Sequence, residues 1–247
     1  FRLLTRTFRQ SLGTNAGIAF GVFLIAALVT GAFLAKDVLD RSTAVGSTYR
    51  TGRTAYSVHS HPRWFQASLA ERLAEKLETN IVPAIQSRGM CGAPDKGSAA
   101  SFANVYGVAP GFWAFAPDPT TPEPEWGDQG VVVNQTLAAR LGVKAGDRIS
   151  IRLQPRNEVP HHFTYAPESL APRTVGATVR AVLPASAFGH FDLRGRTSSD
   201  PAVFFPLDPL SRVINAAGRA NTLLVAQPRG RGELGAFAVR QALDEVY

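Results

Sequence analysis

Twenty consecutive residues without a charge, Ala16 to Ala35 (AGIAFGVFLIAALVTGAFLA), constrain this chain more than any other stretch of it. Thr30 carries the only polar side chain among them. At about 1.5 Å per residue, such a helix covers the roughly 30 Å of a hydrocarbon core. Arg2, Arg6 and Arg9 precede it with no acid, whereas Lys36, Asp37, Asp40 and Arg41 follow it with mixed signs. Basic flanks favour the cytoplasmic side, so the N-terminus is expected inside and everything past about residue 36 outside. The rival is a cleaved signal peptide, whose apolar core is usually only about 7–15 residues long. Phe33-Leu34-Ala35-Lys36 is also a poor cleavage site. The expected division is therefore a basic segment at 1–15, a transmembrane helix at 16–36 and an extracytoplasmic domain at 37–247.

Phe1, Leu4, Phe8 and Leu12 recur at helical spacing opposite the three arginines, as in a helix lying in the membrane interface. The alternative is that these residues are simply the basic flank of the span. Gly13, Gly17 and Gly21 share one helical face, a pattern that lets a second membrane helix approach closely. The chain opens at Phe1 without a methionine and ends at Tyr247 within an expected helix, so a fragment of a longer protein is expected.

The outer region reads as mixed α and β, in one domain or two subdomains. The pattern predicts a helix over 64–77, a strand or two between 80 and 90, and a strand over 101–108. Four prolines between Ala116 and Asp128 demand an exposed loop. The sharpest local pattern is VVVNQTLAARLGVKAGDRISIRL, residues 131–153. Three valines make a short strand, and Asn134 caps the helix that follows. Gly142 ends that helix, Gly146 and Asp147 make a turn, and Ile149, Ile151 and Leu153 alternate as in a half-buried strand. A loop rich in proline and histidine follows at 155–172. Further strands are expected at 174–183, 202–207 and 222–226, with helices at 208–214 and 234–246. The fold class is α+β, with helices and strands in compact layers.

Specific catalytic patterns are missing: no G-x-x-x-x-G-K-[ST], no G-x-S-x-G and no H-E-x-x-H occurs. His59 with His61, and His161 with His162, could each offer two metal ligands, and His190 stands apart, but no acid or cysteine completes a site. Cys91 is the single cysteine, so an intrachain disulfide is excluded. Beside Gly92 in an expected loop, it could be a reactive thiol, although no basic partner adjoins it. Asn134-Gln-Thr136 matches a glycosylation sequon, for which the cap reading is sufficient. The net charge of +7 is dispersed over single arginines. That argues against nucleic acid and for a solvated basic surface or contact with anionic lipid. Neither a catalytic site nor a cofactor is expected.

In order along the chain, the basic N-terminus, the glycine-containing span, VVVNQTLAARLGVKAGDRISI, TVGATVRAVLPASAFGHFDLR, VFFPLDPLSRVI and ANTLLVA resemble the N-terminal part of an FtsX-like (MacB-type) ABC transporter permease. The matching positions are Leu141, Gly142, Val143, Gly146 and Asp147, then Phe204, Pro206 and Leu207, then Asn221 and Thr222. Residues 37 to 80 and the 155–172 loop match poorly. The resemblance implies a MacB-like periplasmic core domain after the first span, further transmembrane helices in the same or a second permease chain, and a separate cytoplasmic ABC ATPase. It implies residence in the plasma (inner) membrane, and export or release of amphiphilic substrates by mechanical coupling rather than catalysis. The alternative is a bitopic, membrane-anchored binding or scaffold protein.

Overall fold

A computed structural model describes residues 12–60, 64–118, 120–154, 171–194, 199–228 and 234–246. The chain divides into two compact units, 1–46 and 47–247. The basic flank with Arg2, Arg6 and Arg9, the interfacial helix over 1–12, His61, and the 155–172 loop with His161 and His162 fall wholly or mainly outside the described residues.

Helix α1 runs Leu12–Thr51, forty residues, well past the expected end of the span. Its apolar part, Ala16–Ser42, has a mean hydropathy of 2.5 and contains no buried residue. Beyond Ala35 the residues turn polar and small, so hydropathy gave no sign of a helix there. One support is local: Arg41 pairs with Asp37 one turn earlier at 3.0 Å, both side chains being exposed.

Among the described residues the second unit has ten strands: β1 Thr54–His59, β2 Phe65–Gln66, β3 Ile81–Ala93, β4 Ser98–Val108, β5 Gly130–Asn134, β6 Arg148–Leu153, β7 Arg173–Leu183, β8 Ala202–Pro206, β9 Arg219–Ala220 and β10 Thr222–Ala226. Helices α2 Leu69–Leu77, α3 Gln135–Leu141, α4 Leu207–Val213 and α5 Ala236–Val246 lie between or after them. Eight strands form one sheet in the order β1-β10-β3-β4-β8-β5-β7-β6, and β6 returns to pair with β3. The strands from β3 to β6 therefore close into a six-stranded ring, while β1 and β10 extend from it. The alternation of elements gave the expectation of compact α/β layers, without the closure. The ring arises because β3, at thirteen residues, is long enough for two neighbours: Ile81–Ala84 pairs with β10 and Gly89–Gly92 with β6.

Between those two pairings, on the edge of β3 away from β4, no strand lies beside the backbone of Gln86. Asn221 fills the gap: its Oδ1 accepts from Gln86 N and its Nδ2 donates to Gln86 O, both at 2.8 Å. Replacing Asn221 by alanine leaves two backbone groups of β3 unsatisfied, at a cost of about 2–3 kcal/mol. The melting midpoint of the domain should fall by about 4–10 °C, and an unchanged midpoint would refute this role.

Two cores result. The larger holds Val105, Val131, Val132, Val133, Ile151, Val179 and Phe204, with the inner faces of α3 and α4. The smaller gathers Phe65, Leu69, Leu73, Ile81, Leu223, Val225 and Ala242. There α2 meets α5, and Lys76 pairs with Glu245. The helix expected from residue 64 begins only at Leu69, because Phe65 and Gln66 pair instead with Ala220 and Arg219. A long-range partner overrides the helical spacing there.

In the 131–153 unit, Asn134 is fully buried, and its Oδ1 accepts from Leu137 N at 2.9 Å and from Ala202 N at 3.0 Å. Its Nδ2 donates to Asp200 O at 2.8 Å. One side chain thus joins β5, α3 and the start of β8. Gly142 closes α3 at φ 66°, a left-handed conformation that costs glycine nothing. Asp147 Oδ2 accepts from Lys144 N at 2.8 Å and from Lys96 Nζ at 2.5 Å, and Lys96 also donates to Gly142 O at 2.6 Å. Gly146 N donates to Val179 O at 2.7 Å. The turn is therefore clamped by the tip of the β3–β4 hairpin.

Candidate functional site

A tightly constrained point of the α/β unit is where the last turn of α1 joins it. Gly52 ends the helix at φ 57°, donating to Thr48 O at 2.9 Å. Arg53 N donates to Phe115 O at 2.8 Å, and Asp192 N donates to Arg50 O at 3.2 Å. Two loops supply these grips. One is the 3-10 turn Phe112–Phe115 after β4, and the other is the segment 188–192 after β7. A Cβ on Gly52 would overlap the Phe115 carbonyl oxygen and meet the Phe188 ring at 2.9 Å, so no other residue fits without displacing the backbone.

Behind the grip lies a cluster of rings. Phe188 stacks on Phe112 at 5.1 Å and meets Phe191 edge-on at 4.9 Å. Phe112 meets Phe191 at 5.0 Å and Trp113 at 5.1 Å, while Tyr106 meets Phe191 at 5.1 Å and Phe204 at 5.3 Å. Phe188 is fully buried although its backbone is left-handed, at φ 64°. A bulky residue in that conformation is strained, and the ring packing on both sides holds it there.

Burial dominates the electrostatics around the grip. Asp192 is only 4% exposed, and its Oδ1 accepts from Arg194 N at 2.9 Å. Burial, then the Asp192 charge, hold the Tyr106 hydroxyl protonated well above the ordinary tyrosine range. Burial and then Arg50 push His190 below its ordinary 6.5, and burial and then Arg194 do the same to His59. Both histidines bind protons less readily folded than unfolded, so their contribution to stability is complete above pH 6.5 and is lost as pH falls through the lowered values. The melting midpoint should therefore drop between pH 7.5 and 5.5, and His190→Gln should shallow that drop. Asp147 and Glu245, whose carboxyls sit below their ordinary 3.8 and 4.5 mainly through Lys96 and Lys76, act only at lower pH. An identical drop in the glutamine variant would contradict the assignment.

Other candidate residues lie elsewhere. Gly13, Gly17 and Gly21 are on α1 in the first unit, and a Cβ at Gly17 or Gly21 meets nothing within 4 Å. Gly142, Gly146 and Asp147 form the hairpin-clamped turn and do not contribute to the grip. Cys91, expected in a loop, is buried inside β3, where burial pushes its thiol up to about 12 and keeps it protonated. Among the described residues no group of three His, Cys, Asp or Glu could hold a metal ion. Sequence reasoning passed over Arg50, Gly52, Phe188 and Asp192. Its available signal was the aromatic density of Phe112-Trp-Ala-Phe115 and Phe188-Gly-His-Phe191. Beside the grip, Gly52–Tyr56 with Gln227 and Leu234 lines an open groove of about 490 Å³.

One N-terminal apolar helix followed by a mixed α/β domain is the arrangement of a membrane-anchored protein. The sequence profile of the MacB-like periplasmic core domain matches residues 11–240, and the chain belongs to that family. It is similar to the crystallised periplasmic region of MacB from Actinobacillus actinomycetemcomitans, at 12% identity over 76% of this chain and 73% of that one, with a TM-score of 0.45. It is likewise similar to the extracellular domain of YknZ, a noncanonic ABC-type transporter from Gram-positive bacteria, at 9% identity over 74% and 80%, with a TM-score of 0.45. No curated protein matches the chain by sequence.

Proposed function

We propose that this chain is part of the permease subunit of an ABC transporter that exports or releases amphiphilic substrates. The N-terminus lies in the cytoplasm, and the α/β domain lies outside the plasma membrane. A separate cytoplasmic ATPase supplies the energy, and the domain does mechanical work without a catalytic residue of its own. The observation that carries this reading is the family match, which runs through α1 and the α/β domain together. The grip around Arg50, Gly52 and Arg53 supports it, since a domain fastened to the end of a membrane helix can follow that helix.

On this reading α1 packs against further transmembrane helices through Gly13, Gly17 and Gly21, and anionic lipid meets the basic N-terminal flank. Gly17→Leu with Gly21→Leu should abolish association with those helices, read as loss of co-purification with the rest of the transporter. The melting midpoint of the α/β domain should not move. Retained association would remove the packing face. The function itself is tested by reconstituting the complete transporter with its ATPase: ATP hydrolysis should be stimulated by an amphiphilic peptide or lipid. ATPase activity indifferent to this chain would refute the proposal.

A further inference from the structure

Apart from α1, the domain's exposed large hydrophobic residues include Met90, 37% exposed, and Phe102, 73% exposed. They are direct partners across β3 and β4. Met90 also faces Arg152 on β6, and Arg152 faces Thr174 on β7. One row thus crosses four strands, about 15 Å at the usual inter-strand spacing. Arg88, two residues before Met90 on the same face, flanks the two apolar side chains, and Arg140 Nη1 reaches the Oγ of Ser101, next to Phe102 in the strand, at 3.5 Å. Strands β3, β4, β6 and β7 and helix α3 contain no Asp or Glu, and Arg88, Arg140 and Arg152 make no salt bridge among the described residues.

We propose that this row is a docking surface for an acidic protein segment that seats an apolar side chain against Phe102 and Met90. An aromatic residue beside arginines is the composition that dominates binding energy at protein interfaces. Uncompensated like charge on a flat face favours a partner of opposite sign and disfavours a second copy, which would set arginine against arginine. The width of four strands suits a helix or strand better than a single headgroup.

The test uses the full chain in nanodiscs of zwitterionic lipid and a synthetic helical peptide with leucines on one face and glutamates on the other. The peptide should bind at least tenfold more tightly than the same peptide with lysine for glutamate, and binding should weaken as salt rises. Phe102→Ser, and Arg88→Glu with Arg152→Glu, should each weaken it tenfold or more with an unchanged melting midpoint. Equal binding of the two peptides, or indifference to Phe102→Ser, would overturn the proposal. So would binding of phosphatidylglycerol vesicles through these residues without peptide binding, or self-association that the variants abolish.

Discussion

On the proposed function, Gly52→Val should abolish transport while leaving the α/β domain folded but weaker. A β-branched residue in a left-handed conformation costs about 1–2 kcal/mol. Overlap with the Phe115 carbonyl oxygen and the Phe188 ring adds about 1–3 kcal/mol of overpacking. A total of about 3 kcal/mol lowers the melting midpoint of a domain this size by about 6–12 °C. The larger effect is on coupling. Valine can be accommodated only if the helix end moves away from Phe115, which breaks the 2.8 Å bond from Arg53 N and disturbs the contact of Arg50 O with Asp192 N. Substrate-stimulated ATPase activity of the reconstituted transporter should then fall to the unstimulated level, with the ATPase still bound. Wild-type stimulation in this variant would mean that the grip transmits nothing.

Phe188→Ala has the largest expected effect on stability. The ring is fully buried and contacts Phe112, Phe191 and Trp113. Removing it costs about 3–5 kcal/mol in lost burial and cavity, or roughly 10–20 °C in melting midpoint. A second variant separates ring from backbone. Because residue 188 is left-handed, glycine suits its backbone better than alanine. Phe188→Gly should therefore be more stable than Phe188→Ala by about 1 kcal/mol, the reverse of the order in a helix or strand. If alanine proves the more stable, Phe188 does not hold a strained turn in solution.

What the sequence revealed was local. The 131–153 unit was legible because its signals lie within a few residues of one another: three valines, a capping Asn134, a closing Gly142 and an alternating strand. The strand at Arg173–Leu183 was legible for the same reason. The ring was not, since it depends on β3 taking β10 and β6 in succession and on Asn221 covering the interval 135 residues away. No periodicity within β3 encodes that. The helical continuation to Thr51 lacks the hydropathy that marked Ala16 to Ala35. The grip was hidden for a related reason. Gly52 is one glycine among twenty-two, and only its closeness to Phe115 and Phe188 distinguishes it.

The account rests on the α/β domain moving with the ATPase cycle through the helix end. The most direct measurement is on the complete transporter in nanodiscs, with one spin label on exposed Asp95 and another on the cytoplasmic ATPase. Distances are recorded without nucleotide and with ATP under hydrolysis arrest. The distribution should shift on ATP binding in the wild type and stay put in Gly52→Val with the ATPase still bound. The same distribution in both nucleotide states of the wild type would contradict the account.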